Sequence, residues 1–159
     1  MTRSGLVVIA STRASGGVYE DRCGPVLVGW LNGRGINTPP ATVVADGAPV
    51  DAALRSGLRE QPDVILTSGG TGISPTDATP QITSALLDYE IPGLADAIRR
   101  SGLPKVPTSV LSRGVCGVAG RTLIVNLPGS LGGVKDGLSV LAEVLDHALD
   151  QLQGKDHSR

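Results

Sequence analysis

The sequence contains no phenylalanine, and Tyr19, Trp30 and Tyr89 are its only aromatic residues. The core must therefore be built from Val, Leu, Ile and Ala, and there are too few rings to stack on the bases of a single-stranded nucleic acid. Net charge is also close to absent. With 14 basic and 15 acidic residues the chain carries −1 at pH 7, and no block of one sign offers a footprint for nucleic acid or an anionic membrane. Cys23 and Cys116 are the only cysteines; they lack CxxC spacing, no zinc ligand set forms with His147 or His157, and both read as reduced, buried thiols. The apolar run at the amino end, Leu6 to Ala10, is too short for a secretory segment or a membrane span. A cytoplasmic protein is expected.

What the chain has instead is 22 glycines and several short β-branched apolar runs. Its length suits a single domain over residues 1–153 that buries roughly 70% of its unfolded surface, followed by a polar tail, residues 154–159, expected to be disordered. Gly5 to Ala10 reads as a buried strand and Ser11 to Gly17 as a loop, with a helix from Val18 to about Gly33. Ala41 to Ala45 reads as a second strand ending at Asp46-Gly47. Val50, Leu54 and Leu58 then mark a helix over Ala48 to Glu60 that accepts Pro49 in its first turn. After a third strand at Val64-Ile65-Leu66, helices are expected from Thr79 to Glu90 and from Leu94 to Gly102. Pro104 and Pro107 argue against regular structure up to Gly114. Val115 to Leu127 reads as a small hairpin leading into a further buried strand, and Leu131 to Leu152 as one long amphipathic helix. Strands alternating with helices imply right-handed βαβ units and an α/β fold: a three-layer, doubly wound, mostly parallel sheet with helices on both faces.

The most informative stretch runs from Asp63 to Pro80. An apolar strand passes through Thr67-Ser68 into Gly69-Gly70-Thr71-Gly72 and then reaches Asp77 and Thr79-Pro80. Three glycines in four residues permit positive φ and close approach of a ligand, and Thr79 with Pro80 suits the N-cap and first turn of a helix. A concave loop of N–H groups carrying one carboxylate suits a phosphorylated ligand and a metal ion. Ligands of open α/β sheets sit beyond the carboxyl ends of the strands. Asp46 and the loop Gly69 to Asp77 both follow strands at that edge, so the two carboxylates are expected to face one crevice. Familiar nucleotide and hydrolase motifs are absent: none of Lys105, Lys135 and Lys155 lies in a G-x-x-x-x-G-K-[ST] context, the loop after the first strand is not G-x-G-x-x-G, and there is no G-x-S-x-G.

The remaining pattern, Ser68-Gly69-Gly70-Thr71-Gly72 followed four residues on by Asp77-Ala78-Thr79-Pro80, resembles the MogA/MoaB family of molybdenum-cofactor biosynthesis proteins. The likeness extends to Ser11, Arg13-Ala14-Ser15, Gly17-Val18-Tyr19, Asp21, Asp46, Glu90-x-Pro92-Gly93, Leu111-Ser112-Arg113 and Asn126-Leu127-Pro128-Gly129. It is greatest toward the MogA branch and implies a molybdopterin adenylyltransferase. The expected reaction is Mg²⁺-dependent transfer of AMP from ATP to the terminal phosphate of molybdopterin. The resemblance further implies a homotrimer and hand-over of the product to a molybdenum insertase. It makes Asp46 and Asp77 the catalytic and metal-binding carboxylates. Ser68, Gly69, Gly70, Thr71 and Gly72 are expected around nucleotide phosphates, and Pro128, Gly129 and Ser130 along the same site or its pterin end. Ser11, Arg13 and Arg113 are further candidate contacts. Taken alone, Asp46-Gly47 also reads as a turn, Ser130 as an N-cap and Arg113 as a surface residue. A non-catalytic, pterin-binding member of the family remains the alternative. The first loop departs from the family pattern in having Thr12 where Asp is common.

Overall fold

The apolar run at the amino end forms β1 (Arg3–Ala10), a strand of a seven-stranded sheet in the computed structural model, which describes residues 2–155. Its side chains alternate between the faces: Val7 and Ile9 enter one hydrophobic cluster, Val8 and Ala10 the other, as the two-residue repeat of a strand requires. β4 (Val64–Ser68) lies parallel beside it with Leu66 opposite Val7, and β7 (Thr122–Leu127) lies parallel beside β4 with Val125 opposite Leu66. Both are buried along their whole length, as strands covered on two faces must be. Along the far side of β1, β2 (Ile36–Asn37) pairs with its start and β3 (Thr42–Val44) with its end, both parallel. At the opposite edge β6 (Cys116–Ala119) folds back antiparallel on β7, and β5 (Tyr89–Glu90) pairs antiparallel with β6.

Helices cover both faces. α2 (Cys23–Gly33), α5 (Pro92–Arg100), α6 (Leu131–Ala142) and α7 (Leu145–Leu152) pack on one side through Leu27, Leu31, Ile98, Leu141, Leu145 and Leu149. α3 (Ala48–Arg59) and α4 (Thr79–Leu86) cover the other through Val50, Leu54 and Ile82. Each fully buried Leu or Val contributes roughly 1.5–3 kcal/mol, which is how a core without phenylalanine is held. The expected three-layer, mostly parallel architecture and the hairpin near residues 115–127 are present.

Several boundaries differ from the expectation. The loop after β1 contains a one-turn helix, α1 (Thr12–Ser15), whose N-cap is Ser11. The next helix starts at Cys23, not Val18, because the Asp21 carboxylate accepts the N–H groups of Cys23 (3.0 Å) and Gly24 (3.0 and 3.1 Å). Val18 and Tyr19 are left exposed ahead of it. The first position of α4 is Thr79 and its N-cap is Ala78, so the Thr79 hydroxyl caps nothing; it is buried without a hydrogen-bond partner. α4 stops at Leu86 because Leu87 turns extended and delivers Tyr89 and Glu90 to the sheet. The segment after Pro104 holds a short 3₁₀ helix, Pro107–Leu111. The long terminal helix is broken at Glu143 and Val144, which lets Leu138 and Leu141 before the bend and Leu145 and Leu149 after it face one cluster. Gly154 and Lys155 fold back on α7, the Lys155 N–H donating to Asp150 O at 3.0 Å; the rest of the expected tail, with His157, lies outside the described residues. No helix among the described residues is long and apolar enough to cross a membrane.

One buried polar group joins these elements. The Asn126 amide on β7 donates to Thr67 Oγ1 on β4 (2.9 Å) and Thr83 Oγ1 on α4 (3.1 Å), while its Oδ1 accepts the Val115 N–H (3.1 Å).

Candidate functional site

At the end of β4 the chain turns through Gly69 (φ +95°) and Gly70 (φ +67°), a region that disfavours side chains. Space forbids them as well: a Cβ on Gly69 would run into the Ala10 carbonyl, and one on Gly70 into Thr79 Oγ1, with Asp46 Oδ1 3.1 Å away. The turn is fastened to the one after β7. Gly69 N–H donates to Leu127 O (3.1 Å) and Ser68 Oγ to Pro128 O (2.7 Å), so the Ser68 hydroxyl serves the scaffold. A Cβ on Gly129 would stand 3.3 Å from Gly69 Cα, so the two glycine turns lie back to back.

Around this junction are two adjoining cavities. The first, about 860 Å³, is lined by Ser11, Arg13, Arg22, Asp46, Gly69, Gly70 and Asp77, with Cys23 among its other walls. The two carboxylates therefore do share one crevice. Asp46 is fixed by Thr12, whose Oγ1 donates to Asp46 Oδ2 at 3.0 Å and accepts the Asp46 N–H at 3.2 Å. The residue that departs from the family pattern is thus a neutral support for the first carboxylate. Asp77 Oδ2 accepts the Ser74 N–H at 3.1 Å. Among the described residues neither aspartate is in an ion pair, and neither are Arg13 and Arg22, which line the same cavity. Glu20 and Asp21 also line this cavity, so four carboxylates and two guanidiniums surround one space, a setting that suits a divalent cation carrying phosphate oxygens. No group of three His, Cys, Asp or Glu side chains able to hold a metal occurs among the described residues, so such a cation would take its other oxygens from ligand and water.

The second cavity, about 560 Å³, shares Gly70, Asp77 and Gly129 with the first. It extends over Thr71, Gly72, Asn126, Pro128 and Ser130 to Ile98, Val106 and Leu111, a more apolar wall. Ser130 is the N-cap of α6, its Oγ accepting the Gly133 N–H at 3.1 Å.

The candidates fall into three groups. Ser11, Arg13, Asp46, Ser68, Gly69, Gly70, Asp77 and Gly129 line the first cavity; Thr71, Gly72, Pro128 and Ser130 line the second. Ser11 has local duties besides, accepting the Ala14 N–H (3.1 Å) and sharing a hydrogen bond with the Tyr19 hydroxyl (2.9 Å). Arg113 lines neither cavity and instead grips the backbone of the loop that carries Asp77. Arg22 is a cation of the first cavity that sequence reasoning did not select, as it did not select Glu20 beside it. Its only signal was a cation next to Asp21 at the start of a helix. Cys23 and Cys116 are free and buried as expected. Burial foremost raises the Cys23 thiol and pushes Cys116 up to about 12.

A doubly wound sheet whose carboxyl edge carries two back-to-back glycine turns and two carboxylates on one cavity defines the class, and residues 6–147 match the family described as "Probable molybdopterin binding domain". The chain belongs to that family. A solved MogA structure is 68% identical with a TM-score of 0.93, covering 94% of this chain and 99% of that one. The molybdopterin biosynthesis Mog protein from Mycobacterium ulcerans is 67% identical with a TM-score of 0.92 over the same shares. The molybdopterin adenylyltransferase of Escherichia coli is 39% identical over 141 residues, 86% of this chain and 71% of that protein. Against the molybdenum cofactor biosynthesis bifunctional protein of Synechococcus elongatus, 34% identical over 152 residues, the chain spans 48% of the relative's length and 95% of its own. The chain spans about half or less of the length of several curated relatives it matches.

Proposed function

We propose that the protein is a molybdopterin adenylyltransferase, transferring AMP from ATP to the terminal phosphate of molybdopterin with release of pyrophosphate, in molybdenum-cofactor biosynthesis. The observation that carries this reading is the meeting of two cavities at Gly70, Asp77 and Gly129, one charged and one more apolar. A reaction that joins two phosphate-bearing substrates needs two sites with one common wall. The charged cavity suits the triphosphate of ATP and the neighbouring one the pterin.

In this arrangement Asp46 and Asp77 would hold Mg²⁺, whose charge, when bound, neutralises the phosphate oxygens and the leaving pyrophosphate. Arg13 and Arg22 line the same cavity, where they can bind phosphate oxygens. Gly69 and Gly70 line the cavity with backbone alone, the space of a side chain being already taken by Ala10 and Thr79. Molybdopterin phosphate then attacks the α-phosphorus of ATP, one P–O bond forms as the bond to pyrophosphate breaks, and the protein contributes chiefly alignment and charge stabilisation. We include in the proposal a homotrimer, a cytoplasmic location and hand-over of the product to a molybdenum insertase. Exposed Leu103 and Val110, outside both cavities, supply apolar surface for assembly, and light scattering measures the stoichiometry. The direct test is incubation with molybdopterin, ATP and Mg²⁺ and detection of adenylylated product. Molybdopterin binding without product, beside an active control, would make this a non-catalytic pterin-binding protein.

A further inference from the structure

We propose that Arg113 is a positioning residue: it clasps the loop from Gly72 to Asp77 at both ends, sets where the Asp77 carboxylate stands, and does not itself bind ligand phosphates. Its importance for catalysis rests on the function proposed above; the clasp itself does not.

The geometry is that of a fork closing a loop. Arg113 Nε donates to Gly72 O (2.8 Å), Nη2 to Asp77 O (3.0 Å) and Nη1 to Gln81 Oε1 (3.1 Å), while its backbone N–H donates to Thr71 O (2.7 Å). Gly72 and Asp77 are the two ends of the loop; Ile73, Ser74, Pro75 and Thr76 between them are exposed. Inside the loop, among the described residues, Ser74 and Asp77 alone are joined, Asp77 N–H donating to Ser74 O at 2.9 Å and Ser74 N–H to Asp77 Oδ2 at 3.1 Å, so the carboxylate moves with the loop that carries it. The loop ends are therefore fixed from outside, by one planar cation whose donors diverge to three acceptors.

Arg113 is itself held. From α5, Arg99 Nη1 donates to Ser112 O (2.8 Å) and Gly114 O (3.2 Å), the carbonyls on either side of Arg113. One arginine brackets the residue that brackets the loop. This relay runs from the wall of the second cavity, which Arg99 and Ser112 line, to Asp77, which lines both.

A lysine tests the idea, because it keeps the charge and loses the fork. In hydrogen exchange of the ligand-free protein, Arg113→Lys and Arg113→Ala should both speed exchange of the hydrogen-bonded loop amides of Ser74 and Asp77 by about tenfold, with β4 and β7 unchanged. In turnover, both should lower kcat by about tenfold or more while the KM for ATP moves less than about twofold, as a displaced carboxylate would do. Gln81→Ala, which removes one acceptor of three, should give a smaller change in the same direction. Unchanged loop exchange in a folded Arg113→Ala protein would overturn the proposal. So would an Arg113→Lys enzyme of normal kcat beside an Arg113→Ala enzyme that has lost affinity for ATP, since that pattern belongs to a cation touching phosphate. If the wild-type protein transfers no AMP, the exchange measurement alone decides the clasp, and the failure falls on the assigned reaction.

Discussion

Asp46 and Asp77 reach one cavity from two different kinds of backbone. Asp46 follows β3, a three-residue strand paired in parallel with β1, and the Ser11 N–H donates to Val44 O at 2.8 Å just before it. Its place is written into the sheet, and one hydroxyl, Thr12, finishes the job. Asp77 lies in an irregular loop whose ends are gathered by a guanidinium from a distant part of the chain. The comparison separates two ways of building a site: a carboxylate carried by a strand end needs little help, whereas one carried by a loop depends on a long-range support.

The largest effect should come from removing the charges. We expect Asp46→Asn and Asp77→Asn each to lower AMP transfer by about 10³-fold or more in a product assay, since under the proposed function each would remove a ligand of the metal ion. Both carboxylates are only part-buried, so circular dichroism and urea unfolding should place stability within about 1 kcal/mol of wild type. Normal turnover in either variant would end the pairing. The shared junction comes second. Gly69→Ala forces a side chain at φ +95° against Ala10 and should cost about 2 kcal/mol or more in urea unfolding, impairing both carboxylates together.

Smaller changes sharpen the contrast. Thr12→Val removes the donor to Asp46 and should lower kcat/KM by about tenfold, within the range for a hydrogen bond to a charged group. Thr12→Ser should restore it, and loop exchange around Asp77 should stay as in wild type. A control remote from both aspartates is the least effect of all. Burial holds the Cys116 thiol protonated up to about 12, against 9.0 ordinarily. The unfolded chain therefore releases this proton at lower pH than the folded one. The stabilisation is full below about pH 9 and fades as pH rises toward about 12, so melting temperature followed from pH 8 to 11 should decline less steeply in Cys116→Ala.

The same division explains what could be read beforehand. β1, β4 and β7 announced themselves as unbroken apolar runs, and α3 by apolar residues one turn apart. The convergence of Asp46 and Asp77 followed from parallel strands ending at one edge. β2 and β5, two residues each, are too short for any periodicity; their pairing is decided by the neighbouring strand. The break at Glu143 and Val144 leaves no mark because the apolar stripe continues through it. The bonds of Thr12 to Asp46 and of Arg113 to the loop span 34 and 36 to 41 residues, so nothing local announces them. Arg113 was legible as a candidate cation, and only its contacts reveal which groups it holds.

Asn126 has a consequence for how the sheet finds its alignment. Its neighbours on β7, Val125 and Leu127, are hydrocarbon, as are Ile65 and Leu66 on β4, and such side chains alone would tolerate β7 sliding along β4. The buried amide does not. A slip of one residue would turn it to the other face, away from Thr67, Thr83 and Val115 N–H, stranding its donors in an apolar environment at roughly 1–3 kcal/mol apiece. Asn126 thus acts as a register pin, rejecting misaligned pairings of the strand that must end in step with β4 for the two glycine turns to meet.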